Sequence, residues 1–351
     1  LVTGATGFVG TELARTLRSD GWWVRATSRH EASGAWDEHV QLDLEVLGQG
    51  YPAVSKDRVQ PEEARQDTKL AEAVAGVDAV FHLAGRAHAI DELGEDDAAY
   101  VALNLGGTAA LLEAAIAAGV PRFVFVSSVK ATGPGEPGRA IDETVASPAD
   151  TAYGRSKRAA EELVLRRATQ AGVHACVLRP SLVYGPGVKG NLVRMLTAVE
   201  RGRFPPLPDI GNRRTMIDVR DLAAAIVLVA QHPSAQGKTY VVTDGHSYSS
   251  RDLHLAMARA LGRQLPRWTV PVPVLHAAGL FGDIGSRVLR RRLPVDSQVV
   301  SRLTESAWYS SALIEAELGF RPRYRLQDAL PGMVTAHRTA GLPAQRAVRA
   351  R

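Results

Sequence analysis

Cysteine is nearly absent: the 351 residues contain one, Cys176. A lone thiol excludes an internal disulfide framework and every cysteine-based zinc pattern. Its surroundings, HACVLRP, are apolar, which makes it a small core residue rather than a reactive thiol. Long uncharged apolar runs are missing as well. The nearest candidate for a membrane span, Val270 to Leu289, is broken by Pro271, Pro273, Asp283 and Arg287, so no spanning helix and no stable membrane insertion are expected. The chain opens on LVTGATG with neither Met nor a secretory leader; a few residues of the first strand are expected to precede it, and a cytoplasmic setting is the default. Lysine is scarce, six against 36 arginines, and twelve of those arginines fall in residues 286–351 with five acids, a local surplus of +7 in a chain of net charge +5. The arginines are scattered and no nucleic-acid motif accompanies them, so nucleic acid is not an expected partner. Internal repeats and low-complexity tracts are also absent. With 45% hydrophobic and 23% charged residues, the composition is globular, and the length suits one large domain or two smaller ones.

What is present is an alternation. LVTGATGFVG reads as strand, glycine turn and helix start, and TELARTLRSDG continues that helix to Gly21. WWVRATSR is a second strand, and residues 48–66 are a polar loop. DTKLAEAVAG is a helix, VDAVFHLAG a buried strand, and AYVALNLGGTAALLEAAIAAG a long apolar-periodic helix. RFVFVSS, the helix YGRSKRAAEELVLRRATQAG and the strand HACVLRP follow, then the helix VRDLAAAIVLVAQHP and the strand KTYVVTDG. Strand and helix in turn imply right-handed crossovers and a doubly wound parallel sheet of the α/β class. From about residue 180 Pro and Gly become denser, and 250–330 reads as helices with loops, most of a smaller unit facing the substrate.

Gly4, Gly7 and Gly10 follow the first strand. Side chains there would keep backbone N–H groups of a tight turn and helix N-terminus from approaching a pyrophosphate. Tyr153 and Lys157 stand four apart at a helix start, on one face. A phenol with a pKa of about 10 is a poor base at neutral pH, and a nearby ammonium favours its ionised form.

These features, with HLAG at 82–85, Ser127 and Ser128 at a strand end, YGRSK at 153–157 and RPSLVYGPG at 179–187, resemble the extended branch of the short-chain dehydrogenase/reductase superfamily, the NAD(P)-dependent epimerase/dehydratase family, over nearly the whole chain. SSVKATG, LVYGPGVKGN and the NRRT segment look most like the nucleotide-sugar 4-epimerases and 4-keto reductases. The resemblance implies a Rossmann-type sheet with a smaller C-terminal substrate-binding domain. Residues 1–178 and 212–250 would bind the dinucleotide, 179–211 and 251–335 the substrate, and 336–351 would be a frayed basic tail.

The catalytic set implied is Ser128, Tyr153 and Lys157, with Ser127 the alternative hydroxyl if the register shifts by one. The implied cofactor site comprises Gly4, Thr6, Gly7, Phe8, Val9, Gly10, Arg29, Asp43, Leu44, Leu83, Ala84, Gly85, Tyr153, Lys157 and Pro180. Asp43 would meet the adenine amino group, or else serve only a turn. On the substrate side stand Arg86, Ser128, Asn191, Arg214 and Arg302, the last three toward a diphosphate with Arg213 as neighbour; Arg86 and His88 would flank the mouth. NAD-binding folds place an acid about 20 residues beyond the glycines. Here Ser28 takes that position by register and Arg29 follows, so NADP(H) is favoured with NAD(H) possible.

In the implied reaction Tyr153 exchanges a proton with a carbinol or ketone oxygen while hydride passes between sugar carbon and nicotinamide. The related 4,6-dehydratases carry Asp-Glu directly after the catalytic hydroxyl residue; Val129 and Lys130 stand there, which disfavours dehydration. Three readings follow. The first is an oxidoreductase at C4 of a UDP-type nucleotide-sugar, either 4-keto reductase or 4-epimerase. The second is a reductase of non-sugar ketones such as steroids or flavonoids, kept in view by the apolar stretch 270–282. The third is a non-catalytic dinucleotide sensor. The branch resemblance also implies a homodimer through helices near 100–118 and 154–170.

Overall fold

The fold is given by a computed structural model that describes residues 1–49, 61–86, 97–136, 138–266, 268–288 and 296–340. Its strands are β1 (Val2–Thr3), β2 (Arg25–Ser28), β3 (Glu38–Gln41), β4 (Val80–His82), β5 (Arg122–Val126), β6 (His174–Pro180), β7 (Leu182–Tyr184), β8 (Arg214–Asp218), β9 (Thr239–Val242) and β10 (Ser247–Tyr248). Seven form one sheet in the order β3-β2-β1-β4-β5-β6-β9, every pairing parallel. The order reverses direction at β1 and β4, the switch point at which open α/β sheets bind ligands.

The central strands are apolar on both faces. Along β5, Phe123 and Phe125 enter the core under one face, while Val124 and Val126 enter the core over the other. In β6, Ala175 and Val177 alternate with Cys176 and Leu178 in the same way. A side-chain period of two with both faces buried is the pattern of a sheet covered by helices on each side. Helices Phe8–Ser19 and Val219–Gln231 contribute to one core, and Pro61–Val74, Thr108–Ala117 and Ala152–Ala171 to the other. Cys176 is fully buried, and burial pushes its thiol pKa up, as suits a core residue.

Several expectations need correction. β3 is absent from the sequence reading because EHVQ is polar; only Val40 of this edge strand is buried. The second strand starts at Arg25, not Trp22, and the third helix starts at Pro61, inside the expected loop. The apolar helix spans Asp97–Ala117, with a π-helical stretch Val101–Gly107. By length and composition it is the one described helix able to cross a membrane, so the nearest candidate is this segment rather than 270–289. Leu111, Leu112 and Ala115 nonetheless lie in the core beside the sheet.

The chain divides into two compact units: residues 1–183, 217–244 and 309–323, and residues 184–216, 245–308 and 324–351. Residues 309–323 were expected in the second. They pack with the first because Ile314, Leu318 and Phe320 are buried in its core, and Glu317 bonds Tyr240 and Lys238 at 2.6 Å each. In the second unit β8 and β10 pair antiparallel, and a separate core forms around Tyr184, Leu196, Met216, Met257 and Leu330. The tail does not fray from 336. The helix Leu326–Ala340 continues, with His337 and Arg338 bonding Glu200 at 3.1 and 3.2 Å; residues 341–351 lie outside the described residues.

Candidate active site

The glycine turn is built as the chemistry requires. Gly4 has φ +68°, and a Cβ on it would lie 2.8 Å from the Ala84 nitrogen. A Cβ on Gly10 would lie 2.1 Å from the Gly4 carbonyl oxygen, so the helix Phe8–Ser19 can pack on the turn only with glycine there. Gly7 caps that helix without a side-chain hydrogen bond, and no acid stands in its first turn. Thr6 and Gly7 are exposed, Phe8 and Val9 half-buried. Orphan N–H groups at the positive end of a helix dipole, with no competing carboxylate, fit a pyrophosphate.

The exit of β4 is held by a buried polar chain centred on His82. Its Nδ1 lies 2.7 Å from Thr3 Oγ1 and its Nε2 lies 2.9 Å from Thr108 Oγ1. Thr108 donates to the Asn104 carbonyl at 2.7 Å, and Thr3 Oγ1 accepts from the N–H groups of Leu83 and Ala84 at 3.2 and 3.1 Å. The pattern fits a neutral imidazole with the proton on Nε2. Burial, with the nearby Lys157 charge, brings the His82 pKa down to about 3. Asn104 then ties the loop to the next element: its Oδ1 accepts from the Arg86 N–H at 2.8 Å and its Nδ2 donates to Ser156 Oγ at 3.0 Å. Sequence reasoning missed Asn104; the only signal was a polar residue within an apolar helix, NLGGT. His88 lies outside the described residues.

The helix Ala152–Ala171 starts at the Thr151 cap, whose side chain accepts from the Gly154 N–H at 3.1 Å. Gly154 is a second missed position. A Cβ there would lie 2.2 Å from the Lys130 carbonyl oxygen, so glycine lets the helix start approach the turn that follows Ser128. The Tyr153 ring lies 6.0 Å from that of Tyr100. Burial raises the phenol pKa above the usual tyrosine value, and hydrogen bonding with Ser128 works against the rise. Ser128 Oγ also accepts from the Lys130 N–H at 3.2 Å. Ser127 points elsewhere: its hydroxyl is buried and has no hydrogen-bond partner among the described residues.

Lys157 is 4% exposed, one turn along the same helix. Its Nζ donates to the Val126 carbonyl at 2.9 Å and lies 4.3 Å from the centre of the Phe125 ring. Desolvation brings its pKa down to about 8, with Glu161 opposing the shift. A Cβ on Gly85 would lie 3.5 Å from this Nζ, so Gly85 keeps the approach to the ammonium open. Pro180 ends β6, in register with Val242.

At the far end of the turn, Ser28 Oγ donates to the His30 carbonyl at 2.6 Å and lies 2.8 Å from His39 Nε2. Arg29 is exposed, and its guanidinium makes no hydrogen bond or ion pair with a described residue. Asp43 caps the short helix Leu44–Gly48, accepting from the Glu45 N–H at 3.0 Å, which is the turn role foreseen as its alternative. Leu44 is buried in the core.

In the second unit Asn191 is exposed on the first turn of Asn191–Glu200. The Arg214 guanidinium donates to the carbonyls of Arg302 and Glu305, the latter at 2.8 Å. It therefore braces the end of helix Ser297–Thr304, beside Asn212, which donates to the Leu303 and Glu305 carbonyls at 3.2 and 3.3 Å. Arg302 adjoins Arg214 through its carbonyl, not its side chain, and Arg213 stacks on Trp308 at 4.3 Å. This structural use of Arg214 was invisible in sequence because its partners lie about ninety residues away.

The model of the NAD dependent epimerase/dehydratase family matches residues 1–243. A UDP-glucose 4-epimerase of Vibrio cholerae is 31% identical over 336 residues, 93% of this chain and 92% of its own length. A 3 beta-hydroxysteroid dehydrogenase/Delta 5-->4-isomerase of Mycobacterium tuberculosis is 28% identical over 350 residues, 94% and 88% of the two chains. The structure of a Thermus thermophilus UDP-glucose 4-epimerase in complex with NAD shares the fold, with TM-score 0.70 at 23% identity over 97% of this chain and 98% of that one.

Proposed function

The chain belongs to the NAD dependent epimerase/dehydratase family and is an NAD(P)-dependent enzyme of the extended short-chain type; we propose that it acts at C4 of a nucleotide-sugar, as a UDP-sugar 4-keto reductase or 4-epimerase. The observation that carries the reading is the helix Ala152–Ala171, which places Tyr153 one turn from the buried Lys157 ammonium and whose start at Gly154 packs on the turn that follows Ser128. When bound, a nicotinamide dinucleotide supplies or takes up the hydride. Gly4, Thr6, Gly7, Phe8, Val9 and Gly10 would hold its pyrophosphate, and Gly85 and Lys157 its nicotinamide ribose.

Tyr153 Oη gives a proton to a ketone oxygen, or takes one from a carbinol. Ser128 Oγ bonds the same oxygen. The Lys157 ammonium favours the phenolate and so eases the transfer in both directions. The raised pKa of Tyr153 suits the proton-donating direction, reduction. Arg29, exposed directly after Ser28, which takes the position where many dinucleotide folds carry an acid, supports NADP(H), since a guanidinium matches a 2′-phosphate. The UDP-glucose 4-epimerase relative supports a nucleotide-sugar substrate. The helices near 100–118 and 154–170 would form a homodimer; monodisperse monomer in sedimentation would remove that part.

A second reading, reduction of a non-sugar ketone, is favoured by one observation. Arg214, the expected diphosphate ligand, is engaged by backbone carbonyls, and a steroid dehydrogenase is among the relatives. The test is cofactor oxidation with UDP-4-keto sugars, UDP-sugars and 3-ketosteroids, with Tyr153→Phe as control. NADPH consumption with a 4-keto sugar supports the reductase, and interconversion of UDP-sugars without net consumption supports the epimerase. Consumption with the steroid alone replaces both.

A further inference from the structure

The exit of β2 carries a hydrogen-bond chain of fixed direction. Ser28 Oγ donates its single proton to the His30 carbonyl at 2.6 Å. His39 Nε2 lies 2.8 Å from the same oxygen, so the ring is the donor of that bond and its proton stands on Nε2. The Ser28 hydroxyl therefore has no proton left for a ligand and offers only a lone pair. On the other side of the ring, His39 Nδ1 makes no hydrogen bond with a described residue.

The strand register sets where this histidine stands. Ala26 pairs with His39 and Ser28 with Gln41, so these four residues share one face of the sheet. On that face Ala26 joins the core of Leu13, Ala14 and Leu17, from the helix Phe8–Ser19 that leaves the glycine turn. Trp36 flanks the imidazole, with ring centres 6.0 Å apart. No carboxylate among the described residues holds the ring. Asp37 is taken by Arg18 and the Val24 N–H, Glu38 by Arg25, and Glu12 by Arg15. The helix Pro61–Val74, with its Arg65, Asp67, Lys69 and Glu72, packs beyond the other face, where Val40 shares a core with Leu70 and Ala73. Arg29, His30 and Glu31 are exposed on the strand exit.

We propose that His39 is a cofactor-selecting residue: neutral, it sets Ser28 as an acceptor for the ribose 2′-hydroxyl of NAD(H), and with a second proton on Nδ1 it adds a cation beside Arg29 that favours the 2′-phosphate of NADP(H). This role rests on the reading above that the strand end meets the 2′ position. A hydroxyl with no proton to give cannot bond a phosphate oxygen, so recognition of the phosphate falls to charge. Histidine is the side chain whose charge ordinarily changes between about pH 5 and 8. By reciprocity, NADP(H) binding draws a proton onto His39, and the preference over NAD(H) rises as pH falls.

The experiment is calorimetric titration of the full chain with NADP+ and with NAD+ at about pH 8 and about pH 5.5, for the parent, His39→Gln and Arg29→Ala. Glutamine keeps a donor for Ser28 and cannot gain charge. At the higher pH the parent and His39→Gln should give the same ratio of NADP+ to NAD+ affinity. At the lower pH the parent's ratio should exceed the variant's by about fivefold or more. The 2′-phosphate gains a proton in the same range, but it does so with both proteins, so their comparison isolates the histidine. Ratios that coincide at both pH values overturn the proposal. So does an equal gap at both, which would make His39 only a support for Ser28. Arg29→Ala should lower the ratio at both pH values. If it does not, the strand end does not meet the 2′ position, and the reading of Arg29 falls together with the proposal. A lowered ratio in Arg29→Ala, with the parent and His39→Gln alike throughout, sinks the role of His39 alone.

Discussion

Arg179 on β6 grips Glu161 of the helix Ala152–Ala171 in a two-pronged ion pair, with Nε 3.0 and 3.1 Å from the two carboxylate oxygens and the side chains 4% and 2% exposed. Glu161 lies one turn beyond Lys157, and Arg179 Nη1 also donates to Thr132 Oγ1 at 3.3 Å, just past the Ser128 turn. The pair thus ties together the segments that carry Ser128, Tyr153 and Lys157.

Breaking such a pair strands a buried charge. Glu161→Gln or Arg179→Met should each lower stability by about 3–5 kcal/mol, read as a shift in the urea unfolding midpoint. The combined Glu161→Leu/Arg179→Met variant should recover much of that loss, because a well-packed apolar pair removes the stranded charge. Single variants as stable as the parent would show that the pair contributes nothing.

His82 makes stability depend on acid. Its folded pKa of about 3 lies below the ordinary 6.5, so between those values the unfolded chain holds a proton that the native one excludes. Its stabilising contribution is complete above about pH 6.5 and is lost as pH falls toward about 3, at most about 5 kcal/mol over the window. His82→Gln should be less stable than the parent at neutral pH and lose less stability between about pH 6 and 4. Parallel stability profiles for the two proteins would refute the assignment.

Gly10→Ala tests the turn. Its Cβ would sit 2.1 Å from the Gly4 carbonyl oxygen, so helix and turn must separate. Dinucleotide binding, followed by nicotinamide fluorescence, should fall by about tenfold or more, since the loss of helix–turn registry costs at least about 1–3 kcal/mol. Gly21→Ala, with open space around its Cβ position, is the control: its φ of +83° should cost some stability while leaving cofactor affinity intact.

Sequence legibility followed locality. The glycine turn and the shared helix of Tyr153 and Lys157 were readable because each is set within a few residues of chain. VFH, FVFV and ACVL were readable as buried strands because both faces of the sheet are covered. Asn104, Gly154 and Ser156 were not. Their roles arise only where the π-helical stretch, the Lys130 turn and the helix Ala152–Ala171 converge. β3 escaped because an edge strand with one buried residue carries no apolar pattern. The contacts of Arg214 were not legible either: a guanidinium that donates to the carbonyls of Arg302 and Glu305 looks, in sequence, like any other arginine.

Tyr153 and Ser128 should separate in kinetics. Tyr153→Phe removes the proton carrier and should lower turnover by about 10²–10⁴ with cofactor affinity unchanged. Ser128→Ala removes the hydroxyl that holds the Tyr153 pKa down against the effect of burial. Its loss should be smaller, and its pH–rate profile should move toward higher pH, because the phenol then ionises less readily. Equal losses with unshifted profiles would mean that Ser128 acts only on the substrate oxygen.

Arg29 bears on the choice of dinucleotide. It follows Ser28, whose hydroxyl is already engaged by His30 and His39, so that strand end presents a cation and no carboxylate. A 2′-phosphate gains a charge-assisted pair from the guanidinium, whereas a 2′-hydroxyl gains little. Arg29→Ala should weaken NADPH binding by about tenfold or more, the value of a charged hydrogen bond of about 1.5–3 kcal/mol, and leave NADH binding nearly unchanged. Ser28→Asp should do the reverse, supplying an acceptor for the NADH ribose and repelling the phosphate. If Arg29→Ala weakens both cofactors equally, the side chain acts only as general positive charge near the turn. The preference must then come from another part of the site.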